Sequence, residues 1–273
     1  MLRLDGKVRT DLRHRGRRSF SSSSASRLHG WGWLLSLAIF LAVWQLVSTL
    51  FDVPSYILPS PSLTVGAIVR DSALLGQHLL ATLAATLSGL ALAAFAGLFA
   101  AILMNASRII GEILYSHMVL SQAVPLIAIA PVILIWFGLG LFAKTVIVAA
   151  VCFFPIAVNT YEGFRTVQEE HNHLLTTFGA TRWQRYRHLF VPATLPGIFA
   201  GLKIAATYSV LGAVVGEWLG GVRGMGIYMT RALQSFRTDR LFAAILVVML
   251  TSFCLFKGVS LLGTHLTPWY KRR

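Results

Sequence analysis

Long uncharged runs alternate with short polar breaks along this chain. Residues 30–51, 79–104, 113–143, 145–161 and 241–256 contain no Asp, Glu, Lys or Arg, and 195–216 contains only Lys203. A helix needs roughly 20 apolar residues to cross the hydrocarbon core of a bilayer. Helices of this kind satisfy their own backbone groups in lipid. The pattern predicts an all-α polytopic membrane protein with about six transmembrane helices. The two shortest runs, 145–161 and 241–256, are expected to extend past their flanking charges.

The breaks have their own character. Pro54, Pro59 and Pro61 stop any helix after the first span. Residues 62–75 mix apolar positions with Arg70 and Asp71 and suit a segment lying along the outer surface. Pro125 and Pro131 should bend the third run, and Gly138 with Gly140 should end it, as a pathway helix or as a kinked structural one. In the second span Gly89 and Gly97, eight residues apart, share nearly one face and permit close helix approach.

Composition confirms the class and adds orientation. The 273 residues are 56% hydrophobic and 12% charged, with mean hydropathy +0.69. Net charge is +14. With a cytoplasmic N-terminus and six spans, sixteen Lys/Arg fall inside and six outside. That asymmetry agrees with the positive-inside rule and places both termini in the cytoplasm. It explains the basic balance better than nucleic-acid binding does. Residues 1–30 have the Arg- and Ser-rich composition of a disordered basic arm, leaving 31–270 as one transmembrane domain. Arg17-Arg18-Ser19-Phe20 faintly resembles a twin-arginine signal, but the apolar run behind it is too long and lacks a small-residue cleavage site. Cys152 and Cys254 fall in spans and read as small buried hydrophobes. No metal-ligand spacing occurs.

One polar stretch stands out: "TTFGATRWQRYRHLFVPATLPG", residues 176–197. Residues 169–178 predict a short helix, with Gly179 as a left-handed cap. Thr181-Arg182-Trp183-Gln184 has the form of a capping box opening a second helix toward Phe190. Trp183, Tyr186 and Phe190 should share one aromatic face, and Pro192 with Pro196 should stop the helix before the fifth span. Such a helix–turn–helix has two readings. It lies on lipid headgroups, or its aromatic face docks into a partner's groove.

Polar residues inside spans are the candidate pathway: Ser121, Gln122, Asn159, Tyr208, Ser209 and, at the outer end of the fifth span, Glu217. Gln122 and Asn159 are expected to face the bundle interior, because an unpartnered amide in lipid is costly. Interhelical hydrogen bonding is the competing role for each. Glu217 either lines an outer gate or pairs with Arg223. Lys203 and Lys257 are expected to snorkel to the inner interface.

The cationic stretch resembles the cytoplasmic coupling loop of ABC importer inner-membrane subunits. In that family a Glu-Ala-Ala run precedes a Gly, and Ile-x-Leu-Pro follows. Gly179 matches the Gly, Leu189 and Val191-Pro192 match the later part, and His173-Leu174-Leu175 replaces the first. "ILPSPSLTVGAIV", "VPLIAIAPVILIWFGLG", "FFPIAVNTYEGF" and "GEWLGGVRGMGIYM" resemble the nitrate/sulfonate/taurine branch, which includes thiamine-precursor pyrimidine and riboflavin-like permeases. The resemblance covers the chain from about Trp31. It implies a permease in the bacterial cytoplasmic membrane, working with a second permease copy, an external solute-binding protein and a cytoplasmic ATPase. The loop, 169–190, would insert into the ATPase through Gly179, Ala180, Thr181, Arg182, Trp183, Tyr186 and Pro192. No catalytic residue and no cofactor is expected on this chain; ATP and Mg would sit on the ATPase.

Two further classes stay in view. A secondary transporter or channel would often show internal repeats, and none is evident. A membrane-embedded enzyme would need clustered acids, His or a Ser/Lys pair within spans. The predicted spans hold amides and hydroxyls without a central fixed positive charge. That tilts the substrate toward a neutral or cationic solute. The segment "GLKIAATYSVLGAVVGEWLGG" resembles the pyrimidine and thiamine-precursor members of the family, which implies a thiamine-precursor pyrimidine or similar heterocycle, with sulfonate, taurine or nitrate as the alternative.

Overall fold

A computed structural model describes residues 25–167 and 169–272. Among the described residues all regular structure is helical. The helices are α1 (Ala25–Leu50), α2 (Pro61–Arg70), α3 (Ser72–Ala106), α4 (Arg108–Ser121), α5 (Leu126–Phe137) and α6 (Leu141–Arg165). Then come α7 (Glu169–Thr177), α8 (Arg182–Arg185), α9 (Val191–Leu219), α10 (Met225–Gln234) and α11 (Thr238–Leu266). The expected arm lies outside the described residues up to residue 24, and residues 25–30 belong to α1.

Of the six expected spans, four are helices long and apolar enough to cross a membrane. They are α3, α6, the α8–α9 helix and α11, and each runs beyond its uncharged core. The third is two helices, α4 and α5, bent by 98° at their junction. The first offers a shorter apolar segment, Leu34–Leu50. The α4–α5 break falls at Pro125, where a proline N-cap starts α5, while Pro131 is absorbed inside it. Gly138, with φ 78°, ends α5.

Helix α6 is the centre of the bundle, with α3 on one side and α9 on the other. Ala85 and Ala93 of α3, Val148, Cys152 and Ile156 of α6, and Ala205 and Ala213 of α9 form one buried core. Small residues set the approach, because apolar helices in lipid gain from close van der Waals packing rather than from expelling water. A Cβ on Gly97 would stand 2.9 Å from Ile156 Cγ2, and one on Gly201 would stand 2.5 Å from the Pro155 carbonyl. Polar side chains add cross-ties. Ser88 and Thr145 hydroxyls lie 2.7 Å apart across α3 and α6, and the Cys152 thiol donates to the Ala205 carbonyl at 3.3 Å. Cys254 is exposed, and both cysteines are free.

Short helices close the end of the bundle where α9 finishes. Ser60 caps α2, with Pro61 at its first turn, and the Trp44 indole donates to the Pro59 carbonyl at 3.1 Å. Residues 61–70 thus form a packed helix against α11, with Thr64 and Ala67 buried. Asp71, between α2 and α3, pairs with Arg240 at 2.8 Å, and Arg70 pairs with Asp239 at 2.8 Å.

The fit at Gly201 yields a measurable expectation. Gly201→Leu should lower the thermal midpoint in detergent, since overpacking a tight contact costs roughly 1–3 kcal/mol. Gly76→Ala has nothing within 4 Å of the added carbon and should leave the midpoint unchanged or raised. Equal midpoints for Gly201→Leu and the parent would refute the close α6–α9 approach.

Candidate functional site

The polar loop between α6 and α9 is built by local chemistry. Helix α7 ends in a Schellman motif: the Ala180 N–H reaches the Leu175 carbonyl at 2.9 Å and the Gly179 N–H reaches Thr176 at 3.0 Å. Gly179 carries φ 77° there, a conformation that costs a side-chain-bearing residue strain. The capping box is formed as the spacing predicts. The Gln184 N–H donates to the Thr181 hydroxyl at 3.3 Å, and the Thr181 N–H donates to Gln184 Oε1 at 2.8 Å. The Arg185 guanidinium ties the two helices, donating to Asn172 at 3.0 Å and Thr176 at 3.1 Å.

Two expectations about this loop change. Pro192 and Pro196 do not stop the second helix. Residues Tyr186–Phe190 form a π-turn, with the Val191 N–H reaching back to Tyr186. The wider turn relieves the clash of a proline ring with the preceding carbonyls, so Pro192 sits in the first turn of α9 and the helix continues. The whole helix, Arg182–Leu219, runs 38 residues. The aromatic face also divides. Tyr186 and Phe190 stack at 6.0 Å and pack inward with Phe164 and Met104. Trp183 points outward, 70% exposed, and the turn residue Phe178 is 79% exposed. Phe178 was not among the expected site residues; its signal was a large apolar side chain adjoining the glycine cap.

An open groove of about 820 Å³ lies on the same end, between α6 and the start of α9. Asn159, Glu162, His188, Pro192 and Trp269 border it. Asn159 donates to the Pro155 carbonyl at 2.7 Å. Ser121 and Ser209 likewise donate back to their own helices, to Met118 and Ala206. Ser209 is buried, whereas Gln122, expected inside, is exposed at the α4–α5 break. Tyr208 is half exposed, on a row of α9 with Ile204 and Leu211. Lys203 lies twelve residues beyond Val191, about 18 Å along α9, nearer mid-helix than an interfacial lysine.

Glu217 lies at the opposite end, fully buried. Its carboxylate accepts from the Gly226 N–H at 2.9 Å and from the Thr82 hydroxyl at 2.9 and 3.0 Å. Thr82 in turn accepts the Met225 N–H at 2.8 Å. The acid therefore caps α10, where the helix's free N–H groups favour it. It makes no ion pair with Arg223, whose carbonyl instead accepts from buried Lys144 at 3.2 Å. His78 Nδ1 lies 3.0 Å from the Gly224 N–H and 2.8 Å from the Gly224 carbonyl, meeting one of them in each tautomer. Gly224 has φ 139°, and a Cβ there would collide with the Glu217 carboxylate. Farther along α10 the Tyr228 hydroxyl donates to Asp71 at 3.1 Å. Burial, with the Asp71 charge beside it, pushes that phenol up to about 12, so it remains a donor.

The geometry is that of a membrane bundle with a rigid polar loop at one end and a buried polar joint at the other. Residues 93–271 match the family described as binding-protein-dependent transport system inner membrane component. The formylaminopyrimidine transport permease protein ThiX of Halalkalibacterium halodurans is 35% identical over 88% of this chain and 96% of its own length. The riboflavin transport system permease protein RibX of Chloroflexus aurantiacus is 35% identical, over 86% and 88%. The taurine transport system permease protein TauC of Escherichia coli is 30% identical, over 90% and 95%. A solved amino acid ABC transporter structure with histidines shares the fold. Its TM-score is 0.54 at 19% identity, over 74% of this chain and 96% of that one. These relatives are transport subunits rather than enzymes. The chain belongs to the binding-protein-dependent transport system inner membrane component family and is a multi-pass permease subunit of an ABC importer.

Proposed function

We propose that this permease imports a thiamine-precursor pyrimidine or similar heterocycle. An external binding protein delivers the solute, and a cytoplasmic ATPase, which holds the ATP and Mg, drives the cycle. The observation that carries the substrate reading is 35% identity to permeases named for a formylaminopyrimidine and for riboflavin, against 30% to one named for taurine. A sulfonate or nitrate substrate is the second reading. It draws support from Lys203, a cation near mid-helix on α9, where a fixed positive charge would suit an anion.

Residues 169–190 are the coupling loop in this proposal, and the termini lie on the same, cytoplasmic side. The Schellman turn, the capping box and the Arg185 ties support a rigid projection, and exposed Phe178 and Trp183 supply anchors for a groove on the ATPase. Gly179, Ala180, Thr181 and Arg182 shape the turn. Tyr186 and Pro192 act behind it by seating the loop on the bundle. A second copy of this chain completes the pathway. The exposed α9 row supports that pairing, because the Tyr208 hydroxyl on a lipid-facing stripe would be costly and a hydrated seam between copies removes the cost. Ser121, Gln122, Asn159, Ser209 and Glu217 remain proposed pathway-associated positions. Lipid covers the remaining apolar faces.

Gly179→Val should abolish uptake while membrane insertion persists; normal uptake by that variant would refute the coupling role. Trp183→Ala should reduce recovery of the ATPase in pull-downs, and Phe178→Ala should do the same. Substrate identity is best read on the partner binding protein by thermal shift. A true ligand at a hundredfold excess over Kd stabilises by about 2.7 kcal/mol. A shift with a pyrimidine and none with taurine, alkanesulfonates or nitrate is expected. The reverse pattern would establish the second reading.

A further inference from the structure

The loop and the buried acid are ends of one object. Helix Arg182–Leu219 is unbroken over 38 residues, so at about 1.5 Å per residue Glu217 stands about 50 Å from Arg182. The covalent link onward is glycine-rich: Gly220, Gly221 and Gly224 occupy three of the five positions before α10, so its backbone is held by side chains from other helices, His78 and Lys144 among them, rather than by its own. Glu217 bridges over that link. From the last turns of α9 it holds the Gly226 N–H of α10 and the Thr82 hydroxyl of α3, and Thr82 holds the Met225 N–H. Lys144 of α6 secures the intervening Arg223 carbonyl. Four helices meet in a buried polar cluster, and such a cluster, when satisfied, rigidifies its surroundings.

We propose that Glu217 is a positioning residue for transport. It fastens α10 to the far end of the α9 rod, so that a displacement imposed on the loop at Arg182 reaches α10 as a rigid movement. This rests on the coupling role proposed for residues 169–190. Without the carboxylate, the glycine link would absorb the displacement. The Tyr228–Asp71 and Arg240–Asp71 contacts would then leave α10 attached to the α2–α3 junction and to α11.

The test uses the complete importer, reconstituted with its ATPase and binding protein. In Glu217→Ala the ATPase should still co-purify, while the ratio of binding-protein-stimulated to unstimulated ATP turnover should fall about tenfold, on the scale of losing a buried partner. Glu217→Gln keeps an acceptor oxygen between Gly226 and Thr82 and should recover most of the ratio. Thr82→Val, nearly isosteric, should fall with the alanine variant and carries the measurement if that variant fails to assemble. An unchanged ratio in Glu217→Ala overturns the proposal. So does equal loss of ATPase association in all three variants, which would make the cluster a folding staple. Gly179→Val separates the two levels. If it loses stimulation while Glu217→Ala keeps it, the coupling role stands and the joint falls. If it keeps stimulation, the coupling role falls, and the joint with it.

Discussion

Everything else in this permease depends on how closely α6 lies between α3 and α9. In lipid no hydrophobic force drives two apolar helices together, so the contact must be made by fit. Gly97 facing Ile156 and Gly201 facing the Pro155 backbone supply that fit. The approach also brings polar groups into range of one another, as with Ser88 and Thr145. A looser bundle would leave those hydroxyls to bond only their own helices.

That tight core gives the rod a bearing. α9 is held along α6 over much of its length, with its ends free to carry different chemistry. At one end the capping box, Schellman turn and π-turn make a projection whose shape is over-determined. At the other a fully buried carboxylate replaces the usual exposed helix cap. The π-turn has a particular consequence. By absorbing Pro192 it makes the second helix of the polar loop and the span one continuous helix, Arg182–Leu219, where a proline break would have left a hinge.

Legibility followed range in sequence. Gly179 and the Thr181–Gln184 box were readable because both partners lie within four residues and only one geometry satisfies them. Gly89 and Gly97 announced a packing face through their spacing. The Glu217 partners were not readable: Thr82 lies 135 positions away, and the proximity of Arg223 in sequence suggested an ion pair that the fold does not make. Pro192 misled because proline rules assume an α-turn, and the chain used a wider one. Gln122 was placed inside on the cost of an unpartnered amide, but the α4–α5 bend turns that position outward. The aromatic triplet 183, 186 and 190 divides because Tyr186 and Phe190 lie against Phe164 and Met104 while Trp183, one turn earlier, stands clear of the bundle.

A carboxylate is a demanding choice for a cap in a membrane protein. Leaving a buried hydrogen-bond partner unsatisfied is costly, yet replacing both partners by apolar groups of the same shape often is not. Stability alone therefore gives little reason for an acid at 217, since Ser, Thr or Asn caps a helix as well. What an acid adds is reach and valence. Its two oxygens engage an α10 backbone N–H and an α3 hydroxyl at once, from a third helix. Gly224 is bound to the same requirement, because any side chain there would occupy the space of the carboxylate. The pairing of a buried acid with a glycine that makes room for it is understood most simply as the cost of holding α9, α3 and α10 in one fixed relation.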